Sequence, residues 1–543
     1  MTETMNQCTE QIMNCLRNSP NAPRDRQDLY TETLFAAYAL FRAKQANTPT
    51  LEAVKGYPFI SVTLSGCWEA LSALAEPWDM ETLRQVVLAP QFQMEFATPS
   101  AVVSLALRLL DISDSDTVID LGTGSGGFLI DAYRSNPSAE YLGIELNPAS
   151  AAIASVRAEL LGENVKVEQA DMFTLRDGAR KFSKVFSHYP FGMKDLHRAL
   201  DFDAVPGNSS SDWLFNHLMV ECLSESGKAV GLMTRGACFN KPDSAVRKHF
   251  IESGLIEAVI ALPEKLLPNT QMATVVVVLS RGNRDIRMVD ASELCEKGRR
   301  QNELTENHIS AILDALHLDS GISRTVTATE LAHEDYSLDP VKLLTKPVEV
   351  KGGVALGDVA GIRRGSQITA KELDEMVSGE PTDYQYLRLC DIEDGAISGS
   401  LPYLKELVPR LQKYCVVPGN LLLSRNGSPF KMAVVEDCHG KSILATGNLL
   451  ILEPKECIRP LYLKAFLESE AGMQALNSAL VGTTIPVIQT TALQAIQVPC
   501  PPLQEQLRVE GRYLASLRTI QDLKQQLASA IEASKSIFEE VEQ

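Results

Sequence analysis

Three carboxylates and one aromatic–proline turn stand at the ends of four successive apolar runs in the first half of this chain. Thr117-Val118-Ile119 ends on Asp120, and Leu121-Gly122-Thr123-Gly124-Ser125-Gly126-Gly127-Phe128 follows. Tyr141-Leu142-Gly143-Ile144 ends on Glu145, and Val165-Lys166-Val167 leads to Asp171-Met172-Phe173. Lys184-Val185-Phe186 leads into Ser187-His188-Tyr189-Pro190-Phe191-Gly192. Glycines serve where the backbone must take positive φ or let a ligand lie against it. Amides at the start of the following helix attract electron-rich groups. Glu145 falls roughly twenty residues beyond the loop, where α/β nucleotide sites put a carboxylate on the ribose hydroxyls. A carboxylate at Asp171 can accept from an adenine amino group. One glycine loop is a weak signal, since a plain tight turn uses the same residues. Four strand ends in order imply a nucleoside-bearing ligand across the C-terminal edge of a sheet.

The elements that must hold these groups read as strand, glycine turn and helix, repeated. After Gly192, Asp212-Trp213-Leu214-Phe215 opens an amphipathic helix expected to end near Gly227. Ala229-Val230-Gly231-Leu232-Met233, Ala258-Val259-Ile260-Ala261-Leu262-Pro263 and Thr274-Val275-Val276-Val277-Val278-Leu279 read as buried strands. Such runs alternating with helices imply a mostly parallel sheet covered on both faces. Ahead of it, Asp28 to Leu88 reads helical, with Leu34, Ala37, Tyr38, Leu40, Phe41, Trp68, Leu71, Leu74 and Trp78 at helical spacing. In Phe96-Ala97-Thr98-Pro99-Ser100, Thr98 or Ser100 can cap a helix whose first turn takes Pro99.

The acid before the glycines, and the lack of a pyrophosphate cradle, set this loop apart from a dinucleotide fingerprint. It resembles the S-adenosylmethionine loop of class I methyltransferases. His188-Tyr189-Pro190-Phe191 resembles the Asn-Pro-Pro-Phe turn of amino-methylating DNA methyltransferases, with His at the Asn position and Tyr at the first Pro. The order of the Phe-x-Thr-Pro element, the loop and this turn matches the γ group of those enzymes. The likeness is nearest to the modification subunit of type I restriction systems and runs from about Asp28 to Leu344, including Asp335-Tyr336-Ser337-Leu338-Asp339-Pro340. It implies S-adenosylmethionine as cofactor, held by Thr98, Asp120, Gly122, Gly124, Ser125, Glu145, Asp171 and Met172. Catalysis would fall to His188, Tyr189, Pro190 and Phe191, and the helical segment would face DNA and partner subunits.

Length and composition set the bounds. The 543 residues carry 45% hydrophobic and 22% charged residues, values of a multidomain globular protein. No apolar run is long enough for a bilayer, and Met1-Thr2-Glu3-Thr4 lacks the basic start of a signal peptide. Eleven cysteines without a CxxC pair argue against a zinc site or disulfide framework, so no metal and a reducing cytoplasm are expected. A net charge of −18 confines any DNA-binding surface to a local patch.

The second half changes character at Lys351-Gly352-Gly353. Short strands broken by Gly and Pro follow, through Gly361-Ile362-Arg363-Arg364-Gly365, Tyr386-Leu387-Arg388 and Val417-Pro418-Gly419-Asn420-Leu421-Leu422-Leu423-Ser424-Arg425-Asn426-Gly427. With Gly482-Thr483-Thr484-Ile485-Pro486 and the run Ile496 to Gln506, the set resembles one target-recognition domain of a type I specificity subunit. Arg363, Arg364, Arg388, Arg425 and Lys431 are candidate DNA contacts, able to read guanine edges or hold phosphate. From Leu503 to Gln543 one long helix is expected. Its apolar stripe, Leu507, Leu514, Leu517, Leu523, Leu527 and Ile531, lies near heptad spacing. The expected architecture is α/β: a helical segment 1–90, a Rossmann-like class I methyltransferase domain 91–345, an α+β recognition domain 346–502 and a coiled-coil-like helix 503–543.

Two functions stand open on these residues. One is a site-specific adenine-N6 DNA methyltransferase with its own recognition domain, in a restriction-modification or phage-defence setting. The other is a catalytically degenerate DNA-recognition subunit serving an active methyltransferase or nuclease. Adenine N6 needs two hydrogen-bond acceptors to localise its lone pair once the base is flipped out. Neutral His has one acceptor nitrogen and His⁺ has none. Pro190 biases Tyr189 toward an extended conformation, which suits its carbonyl to the second acceptor role. Partners expected are double-stranded DNA and, through the C-terminal helix, a second copy or another methyltransferase, specificity or restriction subunit.

Overall fold

The computed structural model describes residues 3–47, 62–90, 97–176, 180–193, 205–206, 208–268, 270–345, 350–426, 429–481 and 487–541. Phe96, Gly427 and the run Gly482 to Pro486 lie outside the described residues. The chain divides into two compact units, Met1–Thr345 and Lys346–Gln543.

The first unit is built on nine strands: β1 (Thr117–Leu121), β2 (Glu140–Glu145), β3 (Val165–Gln169), β4 (Phe182–Ser187), β5 (Leu223–Thr234), β6 (Ile256–Ala261), β7 (Thr274–Leu279), β8 (Asp285–Asp290) and β9 (Ser323–Thr327). Their order is β3-β2-β1-β4-β5-β7-β6-β8-β9. Strands β3 to β5 run parallel across that half, as their residues imply. Strand β7 enters antiparallel between β5 and β6, and β9 runs antiparallel to β8, so the far half of the sheet is mixed. Alternate residues feed two cores. Val118, Phe186, Val276 and Val278 face one, while Ile119, Val185, Val275 and Val277 face the other. A strand that is buried on both faces has no polar side, which is why β7 reads as an unbroken apolar run.

The helix opening at Asp212 differs from its expected form. It spans Ser211–Cys222, and its strand neighbour begins directly at Leu223. Nearly every face is buried, because Trp213 packs edge-on to Phe250 while Phe215 meets Phe173 and Tyr189. Polar residues at its end misled the boundary: the Ser224–Gly227 stretch belongs to the incoming strand, where the pairing with β4 shifts register.

Five helices precede the sheet: α1 (Glu3–Arg17), α2 (Arg26–Gln45), α3 (Val62–Gly66), α4 (Trp68–Leu74) and α5 (Met80–Val87). Then come α6 (Ser100–Leu110), α7 (Gly127–Ser135) after β1 and α8 (Pro148–Leu161) after β2. Asp25 caps α2 by accepting from the Asp28 amide, and Asp79 caps α5 through Thr82. The α2 residues Thr33 to Leu40 are all buried, so this helix runs through the middle of the N-terminal group. Leu34, Leu83 and Val86 share one continuous core with Val103, Ile153 and Leu160. Polar bonds fix the seam: the Tyr38 hydroxyl and Arg42 donate to Glu159, and Arg84 Nε donates to the Leu160 carbonyl.

One buried cation ties this seam to the glycine loop. Arg157 on α8 is 1% exposed. Its Nε donates to the Val87 carbonyl at 3.0 Å, Nη2 to Ala89 at 3.1 Å and Nη1 to Ser125 at 2.8 Å. Two of those carbonyls close α5, and the third lies in the loop after β1.

The second unit has an α+β form. Its four-stranded sheet runs in the order Ala360–Arg364, Leu449–Pro454, Leu421–Ser424, Met432–Val434, all antiparallel. Leu421, Leu423, Leu450 and Leu452 pack beneath Tyr462, Leu463 and Leu467 of the helix Pro460–Leu467. On the opposite face, Leu422, Ala433 and Ile451 meet Leu387, Val416 and Ile443 of a five-stranded sheet. The last helix spans Leu503–Val541. Its first three turns are anchored: Arg459 Nε donates to Glu510, the Arg459 amide to Gln506, and Lys464 Nζ to the Tyr513 hydroxyl. Beyond Tyr513 the apolar residues Ile520, Leu523, Leu527 and Ile531 are exposed, and Leu517 is half-buried. Among the described residues no helix is long and apolar enough to cross a membrane.

Replacing Arg157 with Met should strip three buried carbonyls of their donor. A loss of about 3–5 kcal/mol is expected for the first unit, the scale for breaking a buried charged network. Arg157→Lys should recover only part of it, because an ammonium cannot span three divergent carbonyls. Urea unfolding followed by tryptophan fluorescence, with all three Trp residues in this unit, measures both variants.

Candidate functional site

The parallel half of the sheet sets the place. From β1 the chain winds outward through β2 and β3, then returns to the other side of β1 as β4 and β5. A crevice opens at such a reversal, at the C-terminal strand ends. All four motif-bearing strand ends reach this edge.

At the end of β1, Asp120 is buried and accepts the Thr123 hydroxyl at 2.6 Å. Burial, opposed by that hydrogen bond and reinforced by the charge of Glu145, pushes its carboxyl up to about 7. The loop then turns through Gly122, Gly124 and Gly126, all at positive φ. Gly124, at φ +55°, has no atom within 4 Å of the point where a Cβ would stand, so its face is open. Gly143 on β2 is needed for the opposite reason: a Cβ there would lie 2.8 Å from both Leu129 and Thr123. Only bare backbone lets the strand approach the loop this closely.

The Glu145 carboxylate holds that loop. Oε2 accepts the Gly124 amide at 2.8 Å, and Oε1 accepts the Asn147 amide at 2.7 Å. Each oxygen keeps a second lone pair. Ser125 is buried, and its carbonyl points to Arg157. Beyond β3, Asp171 is exposed and caps the short turn Met172–Leu175 through the Phe173 amide. The Met172 methyl would lie 3.2 Å from a Cβ on Gly122, so the third strand end meets the loop itself.

The fourth strand end joins this group through Ser187, whose hydroxyl donates to the Leu121 carbonyl at 2.6 Å. His188 follows, with its ring centroid 5.4 Å from that of Phe191. Burial lowers its imidazole to about 4, so the ring is neutral at pH 7. Its Nδ1 lies 2.8 Å from Thr98 Oγ1, which brings the segment before α6 onto the end of β4. Tyr189 turns inward, 1% exposed and stacked on Phe215 at 4.6 Å. Burial and then the negative charge of Asp212 push its phenol well above the usual range. Its hydroxyl and the buried Asn216 amide oxygen have no hydrogen-bond partner among the described residues. Pro190 is exposed and Phe191 half-buried, edge-on to Tyr189. The structure thus brings together two groups at one edge: Asp120, Gly122, Gly124, Ser125, Glu145 and Met172, and Thr98 with His188, Tyr189 and Phe191. Asp171 stands at the same edge, while Pro190 carries the turn.

Arg157 escaped sequence reading. The signal was a charge inside the apolar stripe of α8, between Ile153, Val156 and Leu160, where helical periodicity puts a core residue. Asp212 escaped too: it is buried, accepts the Thr234 amide at 2.8 Å, and burial raises it to about 6. The closing segment carries Asp339, which pairs with Arg235 through two bonds of 2.9 Å.

In the second unit the five basic candidates separate. Arg363 is spent on Glu453 and on the carbonyls of Lys413 and Cys415. Arg388 is paired with Asp391, and Lys431 Nζ donates to the Ile392 carbonyl at 2.8 Å. Arg364 uses only Nε, on the Gly447 carbonyl, and lies near Arg425. Burial, and then the Arg425 charge, lower its guanidinium. No side-chain partner holds Arg425 among the described residues, nor is any cluster of His, Cys, Asp or Glu there placed to hold a metal ion.

Residues 90–350 match the family described as N-6 DNA Methylase, and residues 347–533 the family described as Type I restriction modification DNA specificity domain. Among curated relatives, the type I restriction enzyme MjaVII methylase subunit of Methanocaldococcus jannaschii is 31% identical over 301 residues, covering 48% of this chain and 51% of its own. The MjaVIII methylase subunit of the same organism is 27% identical over 303 residues, covering 49% and 52%. The chain spans about half the length of these curated relatives. Among solved structures, the type I restriction-modification system methyltransferase subunit from Streptococcus thermophilus is 23% identical, with 62% of this chain and 79% of that chain covered at a TM-score of 0.45.

The buried Asp120 carboxyl makes a signed prediction. Its folded value stands above the unfolded one, so its stabilising neutral form is present at low pH and lost as pH rises toward 7. Asp120→Asn should therefore melt above the wild type at pH 8, by up to roughly 4 kcal/mol, with the gap closing toward pH 5. Thermal unfolding across that range reads the difference.

Proposed function

We propose, for a chain that joins an N-6 DNA methylase domain to a type I restriction modification DNA specificity domain, that it methylates the N6 amino group of adenine in double-stranded DNA at a site read by its second unit. The observation that carries this reading is the meeting at one sheet edge of the Glu145–Gly124 cradle with His188-Tyr189-Pro190-Phe191.

The donor set fits S-adenosylmethionine. The open face of Gly124 leaves backbone bare for a close ligand, and the Glu145 lone pairs left over suit two ribose hydroxyls. Asp171 has its second oxygen for the adenine amino group, while Asp120 and Thr98 flank the methionine end. When bound, this cofactor supplies a methyl group made electrophilic by its sulfonium. The chain does the rest by orientation. Phe191 offers a ring face to a flipped base. The Tyr189 carbonyl and one nitrogen of His188 accept the two amino hydrogens, which directs the nitrogen lone pair toward the methyl carbon. Burial keeps His188 neutral and so preserves that acceptor.

Recognition of DNA belongs in this reading to the unit after Lys346. Arg364 and Arg425 are the basic side chains with capacity left over for phosphate or guanine. Arg363, Arg388 and Lys431 would act through the loops they hold. The setting would be a cytoplasmic restriction-modification or defence system. A second reading, a recognition subunit without catalysis that serves an active methyltransferase or nuclease, is favoured by the imidazole that stands where the turn's amide is expected.

Transfer of labelled methyl from S-adenosylmethionine to mixed-sequence DNA, with digestion to nucleosides, tests the proposal. N6-methyladenine is expected from the wild type, and His188→Asn should keep or raise the rate. A silent wild type revived by His188→Asn would establish the degenerate reading. Silence of both on every DNA would assign catalysis to a partner.

The exposed stripe Ile520, Leu523, Leu527 and Ile531 supports pairing of two copies along the C-terminal helix. Light scattering should give a dimer at micromolar concentration and a monomer for Leu523→Glu with Leu527→Glu. A monomeric wild type would reserve the helix for a different chain.

A further inference from the structure

His188 replaces an amide, whose oxygen always accepts, with a ring whose acceptor depends on where one proton sits. A neutral imidazole carries its proton on either Nδ1 or Nε2, and the hydrogen bond made by one nitrogen fixes the character of the other. In this chain Nδ1 is the nitrogen already engaged: it lies 2.8 Å from Thr98 Oγ1. A hydroxyl can donate or accept, so this contact permits both tautomers. The two have opposite consequences. With the proton on Nε2, the ring would set a donor against the donor of an exocyclic amine. With the proton on Nδ1, Nε2 presents a lone pair.

The position of Thr98 is fixed by structure on both sides. It immediately precedes Pro99, whose carbonyl accepts the Val102 and Val103 amides at the start of α6. Its branched Cβ leaves few rotamers for the hydroxyl. His188 is equally held, between the Ser187 bond to Leu121 and the Phe191 ring.

We infer that Thr98 is a positioning residue that accepts the Nδ1–H of His188 and thereby keeps the Nε2 lone pair available to the amino group of the target base. The inference rests on the methyltransferase reading above. It also moves Thr98 from the cofactor's methionine end, where the family resemblance puts it, to the ring that handles the base.

The test has two independent readouts on the full-length protein. The first is the ¹⁵N spectrum of ring-labelled histidine, with His188 assigned by its loss in His188→Asn among eight histidines. A protonated Nδ1 and a bare Nε2 are expected. Thr98→Val should move the proton to Nε2, and Thr98→Ser should restore the wild-type pattern. The second is single-turnover methyl transfer to mixed-sequence DNA. Thr98→Val should slow it at least tenfold in an otherwise wild-type chain and less than twofold in His188→Asn, where no tautomer remains to be set. A wild-type His188 protonated on Nε2, or ring shifts indifferent to Thr98→Val, would overturn the inference. So would a Thr98→Val loss confined to S-adenosylmethionine affinity. A wild type that methylates nothing would instead defeat the methyltransferase reading, and the ¹⁵N result would still decide the role of Thr98.

Discussion

The first unit depends on keeping a guanidinium in the interior. Arg157 would be costly there if its donors were idle, since a buried charge forfeits its hydration. Burial lowers its pKa to about 10, which still leaves it charged at pH 7. Its fork instead meets three carbonyls that no single secondary-structure element could bring together: two from the end of α5 and one from the glycine loop. The N-terminal helices and the loop at the sheet edge are therefore held in register by one side chain. The helices also share an apolar core with α6 and α8. In this unit they form a wall of the methyltransferase-like fold, continuous with its interior.

That anchoring explains the division of labour within the loop. The Ser125 carbonyl faces inward to Arg157, while the Gly124 amide turns to Glu145 and its α-carbon stays open. Opposite faces of two adjacent residues do structural and recognition work, which requires the positive φ of the glycines around Ser125. The fourth strand end shows a similar split. The Tyr189 side chain fills a core place against Phe215 and leaves its backbone for the site. Its unpartnered hydroxyl beside an apolar core is a cost on the order of 1–3 kcal/mol. Phe173, Phe215, Tyr189, Phe191 and His188 form a relay of ring contacts, so the third and fourth strand ends are packed as one body.

The second unit solves a different problem. Short strands cannot bury much surface, so a four-stranded sheet is covered by helices on one face and by a second sheet on the other. Cations brace its loops: Arg363, Arg388 and Lys431 are tied to backbone carbonyls or to carboxylates within the unit. A net charge of −18 leaves few basic groups to spare for a ligand. Arg364 and Arg425, two like charges close together, stand apart because they are not neutralised in this way.

Local pattern was enough to mark the strands, the glycine loop and the carboxylates at strand ends, because each is a statement about neighbours in sequence. Val275 to Leu279 had to be a central strand, since nothing in it tolerates water. Asp120, Glu145 and Asp171 had to share an edge once their strands were parallel. The sequence could not decide which long side chains were free. Arg363 and Arg425 look alike in sequence, and only strand pairing puts Glu453 beside the first. Nor could it decide that β7 runs backwards between β5 and β6, a choice made by packing across more than forty residues. The meeting of Thr98 with His188, separated by 90 positions, is likewise a product of tertiary closure. Distances of that kind depend on how the sheet and helices pack as a whole, and no local propensity encodes them.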